Sequence, residues 1–178
     1  MSQPVKIVKY NPQWPVLYEK EKRLILEVIR HIILKIEHIG STSVHDLGAK
    51  STIDIMVAVN QLEDAERCIE PLQRIGYEYQ PQHEISMPER RYFRKGDPPE
   101  QHYHLHMVEL TSNFWRRHLL FRDYLRTHPE VAREYYELKK ALADKYSSNH
   151  EGYTEAKTSF IESIVARAKI ESRLKSSS

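Results

Sequence analysis

The sequence predicts an α+β fold: a mixed β-sheet of about five strands packed by an early helix, with a helical C-terminal part. Three observations carry this expectation. Apolar residues recur at helical spacing early in the chain. Several short β-rich segments follow, bounded by Gly and Pro. Beyond Ser112 the spacing is helical throughout.

Trp14-Pro15 opens the first helix, expected over 15–31, and Pro suits a first turn. Leu17, Leu24, Ile25, Val28 and Ile32 return at helical intervals with charges between them. Residues 4–13 before it read as an extended lead-in. Residues 34–39 are β-rich and end at Gly40. In the strand expected over 51–59, Ile53, Ile55, Val57 and Val59 share one face, and Thr52, Asp54, Met56 and Ala58 the other. Residues 62–75 read as a helix stopped by Gly76. A short strand is expected at 77–80 and a loop at 81–88. Strands at 90–95 and 102–110 are joined by the turn-like Gly96-Asp97-Pro98-Pro99. Three helices are then expected, over 113–126, 129–146 and 153–168.

The expected organisation is a single domain over 1–172, sheet-rich to about residue 110 and helical over about 111–170, with a disordered tail at 173–178. The 178 residues carry a net charge of +2. That balance does not argue for a nucleic-acid partner. No leader and no run of about 20 apolar residues is present, so a cytoplasmic location without membrane association is expected. The one cysteine, Cys68, reads as a small buried thiol on a helix.

Five stretches bear chemistry. In His38-Ile39-Gly40-Ser41-Thr42-Ser43-Val44, a strand ends in a turn rich in hydroxyls. Gly40 lets a ligand approach the backbone, and Ser41 and Ser43 can donate to phosphate oxygens. An ordinary helix cap is the alternative. In Lys50-Ser51-Thr52-Ile53-Asp54, a carboxylate interrupts an apolar strand and needs a cation, a donor or open water. In His102-Tyr103-His104-Leu105-His106, alternation puts three imidazoles on one face, where His104 and His106 could meet Asp54. Arg90, Arg91, Arg94 and Lys95 flank Tyr92 and Phe93, and an Arg there could hold a phosphate. Arg122 and Arg126 lie one helical turn apart and could do the same. Lys157, on the last helix with Tyr153 and Phe160, could reach a cleft.

Together these blocks resemble the GrpB-like family of small bacterial proteins. The resemblance runs from Tyr10-Asn11-Pro12-Gln13-Trp14-Pro15 through the segments at His38, Gly48, Arg90, His104 and Phe121 to Tyr153, covering roughly residues 5–168. It implies a nucleotidyltransferase-like fold. In some bacteria such a domain is joined to dephospho-coenzyme A kinase. In nucleotidyltransferases a Gly-Ser turn holds the triphosphate, and carboxylates on two strands hold two divalent metals. Gly40-Ser41 matches the turn and Asp54 the first carboxylate. Met56 stands at the second position, and residues 102–106 hold no acid.

The expected function is metal-assisted transfer of a nucleotidyl or phosphoryl group from a nucleotide or phosphorylated small molecule to an acceptor. Asp54, His104 and His106 would be catalytic and would bind the divalent metal (Mg, Mn or Zn). Gly40, Ser41, Ser43, Lys50, Arg90 and Arg91 would bind phosphate. The alternative is a non-catalytic nucleotide-binding or regulatory module that has lost the paired-carboxylate metal site. A purely structural interaction domain would leave Asp54 unexplained.

Overall fold

The computed structural model describes residues 5–97 and 100–178. Pro4 of the expected lead-in and Pro98-Pro99 of the expected turn lie outside the described residues. Helix α1 is Gln13–Ile29, β1 is Lys35–Ile39 and β2 is Thr52–Val59. Helix α2 is Glu66–Arg74, β3 is Glu78–Tyr79, β4 is Arg90–Lys95 and β5 is His102–Glu109. Helices α3 (Asn113–Thr127), α4 (Pro129–Lys145) and α5 (His150–Ser176) complete the chain.

The strands form one mixed sheet in the order β1-β2-β5-β4-β3. Only β2 and β5 run parallel; the other neighbours are antiparallel. The sheet and its covering helices confirm the α+β expectation.

The alternation read from β2 divides the sheet as expected. Ile53, Ile55, Val57 and Val59 face one side with Phe93, Leu105 and Met107, under α1 and α2. On the other side, Ile39, Met56, Ala58 and Val108 pack against Phe114 and Trp115 of α3. Helix α3 thus covers the apolar half of that face. Thr52, Asp54, His102 and His104 occupy the remaining half. A second cluster, in which Val44 and Leu47 meet Leu125, Val131, Tyr135 and Ile164, sets α3, α4 and α5 beside this polar half.

Several expectations need correction. The buried stripe of α1 is Trp14, Tyr18, Glu21, Ile25 and Ile29, while Leu24 is 38% exposed. Glu21 is tolerated there because Lys95 donates to its carboxylate at 2.7 Å. The segment 62–75 opens as a 3₁₀ turn, Leu62–Ala65, where Gln61 and Asp64 form a reciprocal cap. The last helix begins early, because the Asn149 side chain accepts from the Gly152 amide. It also continues to Ser176, through residues expected to be disordered. No Gly or Pro interrupts it after Gly152, and Arg173 and Lys175 suit the negative end of a helix.

Arg122 and Arg126 are braces rather than phosphate ligands. Arg122 Nη1 donates to Glu37 Oε2 at 2.6 Å and to the His38 carbonyl at 3.1 Å, fastening α3 to β1. Arg126 donates twice to the Ser43 carbonyl, at 3.0 and 2.8 Å. Arg122→Met should therefore lower stability by about 2 kcal/mol, since a buried carbonyl and a part-buried carboxylate lose their donor. Urea unfolding measures this, and an unchanged midpoint would show that the brace does not matter.

Candidate functional site

Gly40 turns the chain out of β1 with φ 73°. Two constraints make this position glycine. The conformation is left-handed, and an added Cβ would sit 2.8 Å from Asp54 Oδ2. Residues Ser41–Ser43 make one 3₁₀ turn. Val44 is then extended, so no α-helix begins at this turn.

The turn is held from behind. The Thr42 hydroxyl donates to the Thr52 carbonyl at 3.0 Å, so its oxygen accepts from His38 Nε2, also at 3.0 Å. His38 stacks on Tyr18 with ring centroids 4.6 Å apart. Burial pushes the His38 pKa down to about 4, outweighing the upward pull of Asp54. Ser43 belongs to this scaffold. Its hydroxyl donates to the Gly40 carbonyl and its own carbonyl accepts from Arg126. Its amide also donates to the Gly40 carbonyl, so both donors of Ser43 are engaged within the turn, at odds with the phosphate contact expected of it. Ser41 does line the cleft.

Strand register brings Asp54 opposite His104. Asp54 Oδ1 lies 3.0 Å from His106 Nε2 and 3.5 Å from His104 Nδ1. Arg90 Nη1 is 3.0 Å from His106 Nδ1. A guanidinium can only donate, so Nδ1 accepts, and His106 carries its proton on Nε2 and donates to Asp54. Burial lowers the His106 pKa despite Asp54 and keeps the ring neutral. Burial alone would raise the Asp54 pKa, but hydrogen bonds from His104 and His106 hold it well below the usual carboxylate range. The Asp54 side chain is 27% exposed.

The two arginines expected at the phosphates serve elsewhere. Arg90 lies behind His106 and under Phe114, where it orients the imidazole. Arg91 points to the opposite face, where it pairs with Glu84 at 3.5 Å and donates to the Pro88 carbonyl. One residue of offset along a strand inverts the face, which separates these neighbours. His102 bonds to Thr52 at the edge of the site.

In front of Asp54 lies a cavity of about 150 Å³. Ser41, Lys50, Asp54 and His104 line it from the sheet side, and Lys139, Tyr153 and Lys157 from α4 and α5. Lys139 was not singled out from the sequence. It is 2% exposed and donates to the Gly48 carbonyl at 2.6 Å. A signal existed: Val131, Tyr135, Lys139 and Ala143 recur every fourth residue and all are buried, so a lysine occupies a core position of α4. Burial lowers the pKa of Lys50. Burial, then Lys157 and Lys50, lowers that of Lys139 to about 7. Burial, then Lys50, lowers that of Lys157 to about 8.

The expected metal ligands do meet, but not as a ligand set. Both nitrogens of His106 are engaged. Met56, at the place of a second carboxylate, is fully buried beneath α3. Among the described residues no group of three or more His, Cys, Asp or Glu could hold a metal ion. One carboxylate beside three ammonium groups does not fit a hard divalent ion. It fits an anion.

The architecture and the site define a small α+β protein with a cationic cleft built around one imidazole-held carboxylate. The chain belongs to the GrpB family, whose model, described as GrpB protein, matches residues 4–167. The YqkA protein of Bacillus subtilis is 38% identical over 165 residues, covering 93% of this chain. The chain spans only 47% of that relative's length. The crystal structure of conserved protein GrpB from Enterococcus faecalis aligns with a TM-score of 0.81 and 38% identity, over 92% of this chain and 96% of that one. A dephospho-CoA kinase of Mycolicibacterium paratuberculosis is 26% identical over 188 residues, which cover 46% of that protein. Among the described residues no helix is long and apolar enough to cross a membrane.

Two outcomes are expected. His38 stays neutral in the fold but protonates when unfolded near pH 6.5, so its contribution is full above that value and falls as pH drops toward 4. The loss from this residue should reach about 2 kcal/mol at pH 5, and His38→Gln should flatten the dependence of the urea midpoint on pH. Equilibrium dialysis against Mg²⁺, Mn²⁺ or Zn²⁺ should find no stoichiometric binding that depends on Asp54. One ion per chain, lost in Asp54→Asn, would overturn the anion assignment.

Proposed function

We propose that this protein binds a nucleotide or another phosphorylated small molecule in the cleft and transfers its nucleotidyl or phosphoryl group to a small acceptor. The observation that supports this best is the convergence of Lys50, Lys139 and Lys157 on the Gly40-Ser41 turn and Asp54. Positively charged groups fixed in a partly dry site stabilise phosphate charge and the charge that develops on a leaving group. In the transfer step the acceptor oxygen bonds to phosphorus while the bond from phosphorus to the leaving oxygen breaks. The lysines neutralise the departing anion. In this reading His104 receives the acceptor's proton, Asp54 orients His104, and Arg90 acts through His106 to orient Asp54. The similarity to part of a protein named dephospho-CoA kinase is consistent with nucleotide or coenzyme chemistry.

A second reading is a module that binds the same ligands without transfer. Asp54 Oδ1 already accepts two imidazoles, and the neighbouring inward position is the buried Met56, which favours this second reading.

One experiment separates them. Nucleoside triphosphates are titrated into wild type and Asp54→Asn, with binding and pyrophosphate release followed together across candidate acceptors. Release that falls at least about a hundredfold in the variant supports transfer. Binding without release supports the module. Absence of binding by every phosphorylated compound would sink both readings.

A further inference from the structure

We infer that Lys139 is a carbamylation site, at which its buried amine captures carbon dioxide and the new carboxylate is held by Lys50 and Lys157. This goes beyond the phosphate-binding reading above and stands or falls independently of it.

Placement gives the first argument. Lys139 occupies a core position of α4 and lines the cavity, whereas Lys50 and Lys157 are only half-buried. Its ammonium group has three donors, yet among the described residues it meets a single oxygen, the Gly48 carbonyl. The Tyr135 ring lies 4.8 Å away. A carbamate keeps just one N–H, and the Gly48 carbonyl takes it. Modification therefore removes the donors that have no acceptor and keeps the bond that fixes the side chain.

Charge gives the second. Lys50 and Lys157 line the same cavity and lie over the Tyr153 ring at 4.5 and 4.6 Å. The lysine ion pairs among the described residues involve only Lys95, Lys140 and Lys175. Asp54 keeps its negative charge, because the neutral His106 donates a hydrogen bond without cancelling it. Three ammonium groups thus face one carboxylate. A carbamate turns one positive group into a negative one and leaves two ammonium groups facing two carboxylates.

Reactivity and size agree with this. A lysine that is desolvated and set beside other cations keeps part of its amine unprotonated, and the neutral amine is the nucleophile. Burial, then Lys157 and Lys50, lowers the Lys139 pKa to about 7. The nitrogen lone pair bonds to the carbon of carbon dioxide, one carbon–oxygen π bond breaks onto oxygen, and nitrogen releases one proton to solvent. Nothing is oxidised or reduced. The cavity of about 150 Å³ admits a triatomic molecule, since a water takes up about 30 Å³.

Covalent trapping on the full chain tests this. The protein is equilibrated with isotope-labelled bicarbonate, and any carbamate is esterified with a trialkyloxonium salt. Peptide masses then assign the site, since chain α-amines also react with carbon dioxide. Wild type should carry the label at Lys139, and Lys95, Lys140 and Lys175, which are paired with carboxylates, should carry none. The double variant Lys50→Gln, Lys157→Gln keeps the Lys139 amine but removes both partners of the new carboxylate. It should need at least about tenfold more carbon dioxide for half-modification, with circular dichroism checking its fold. Absence of label at Lys139 in wild type at saturating bicarbonate would overturn the inference. So would label spread evenly over surface lysines, or an unchanged half-modification point in the double variant. None of these results touches the phosphate-binding reading, which is tested by nucleotide binding and pyrophosphate release.

Discussion

A carboxylate on the inner face of a central strand must be hydrogen-bonded, charge-paired or left in water. Asp54 is both hydrogen-bonded and partly open to water, and much of the surrounding structure follows from that. The parallel pairing of β2 with β5 sets His104 opposite it and His106 one pair further along. Both imidazoles turn toward Oδ1. On the other side the backbone comes so close to Oδ2 that only glycine fits at position 40. Arg90 then fixes the tautomer of His106 from the next strand. Four elements thus depend on one side chain, and α3 closes only the half of the face that Asp54 does not occupy.

The helical C-terminal part completes the site as well as the core. Lys139 and Lys157 descend from α4 and α5 to the wall opposite the sheet. Burying a lysine is costly unless its ammonium finds acceptors. Here Lys139 has the Gly48 carbonyl, and the cavity beside it has room for an anion. Arg122 and Arg126 fasten α3, against which α4 and α5 pack, by bonding to the main chain of β1 and of the turn. The charges that hold the walls together are therefore different from those that face the cleft.

That division explains why the arginines were misleading in sequence. Each of Arg90, Arg91, Arg122 and Arg126 lies near a plausible phosphate position along the chain. Alternation separates Arg90 from Arg91, but what each of the four meets depends on depth and on the elements packed against it. Ser43 is similar: its residue type suits an anion, but its hydroxyl and amide both bond to the Gly40 carbonyl within the turn. The lysines present the opposite case. Lys50 and Lys157 are legible in sequence as cleft residues, whereas Lys139 stands out only as a core position of α4, and the docking of that helix brings it to the cavity.

The order of strands and helices, the two faces of β2 and the special status of Gly40, Asp54 and the alternating histidines follow from the sequence alone. They depend on local periodicity and on residue chemistry that has few alternative uses. The partner of each charged group is a different matter. It depends on contacts between residues up to 91 positions apart, such as Lys139 with Gly48, and on which half of a sheet face a helix happens to cover. Tertiary structure therefore made the site cationic, while the lack of a second carboxylate beside Asp54 is already legible in Met56 and the alternating histidines.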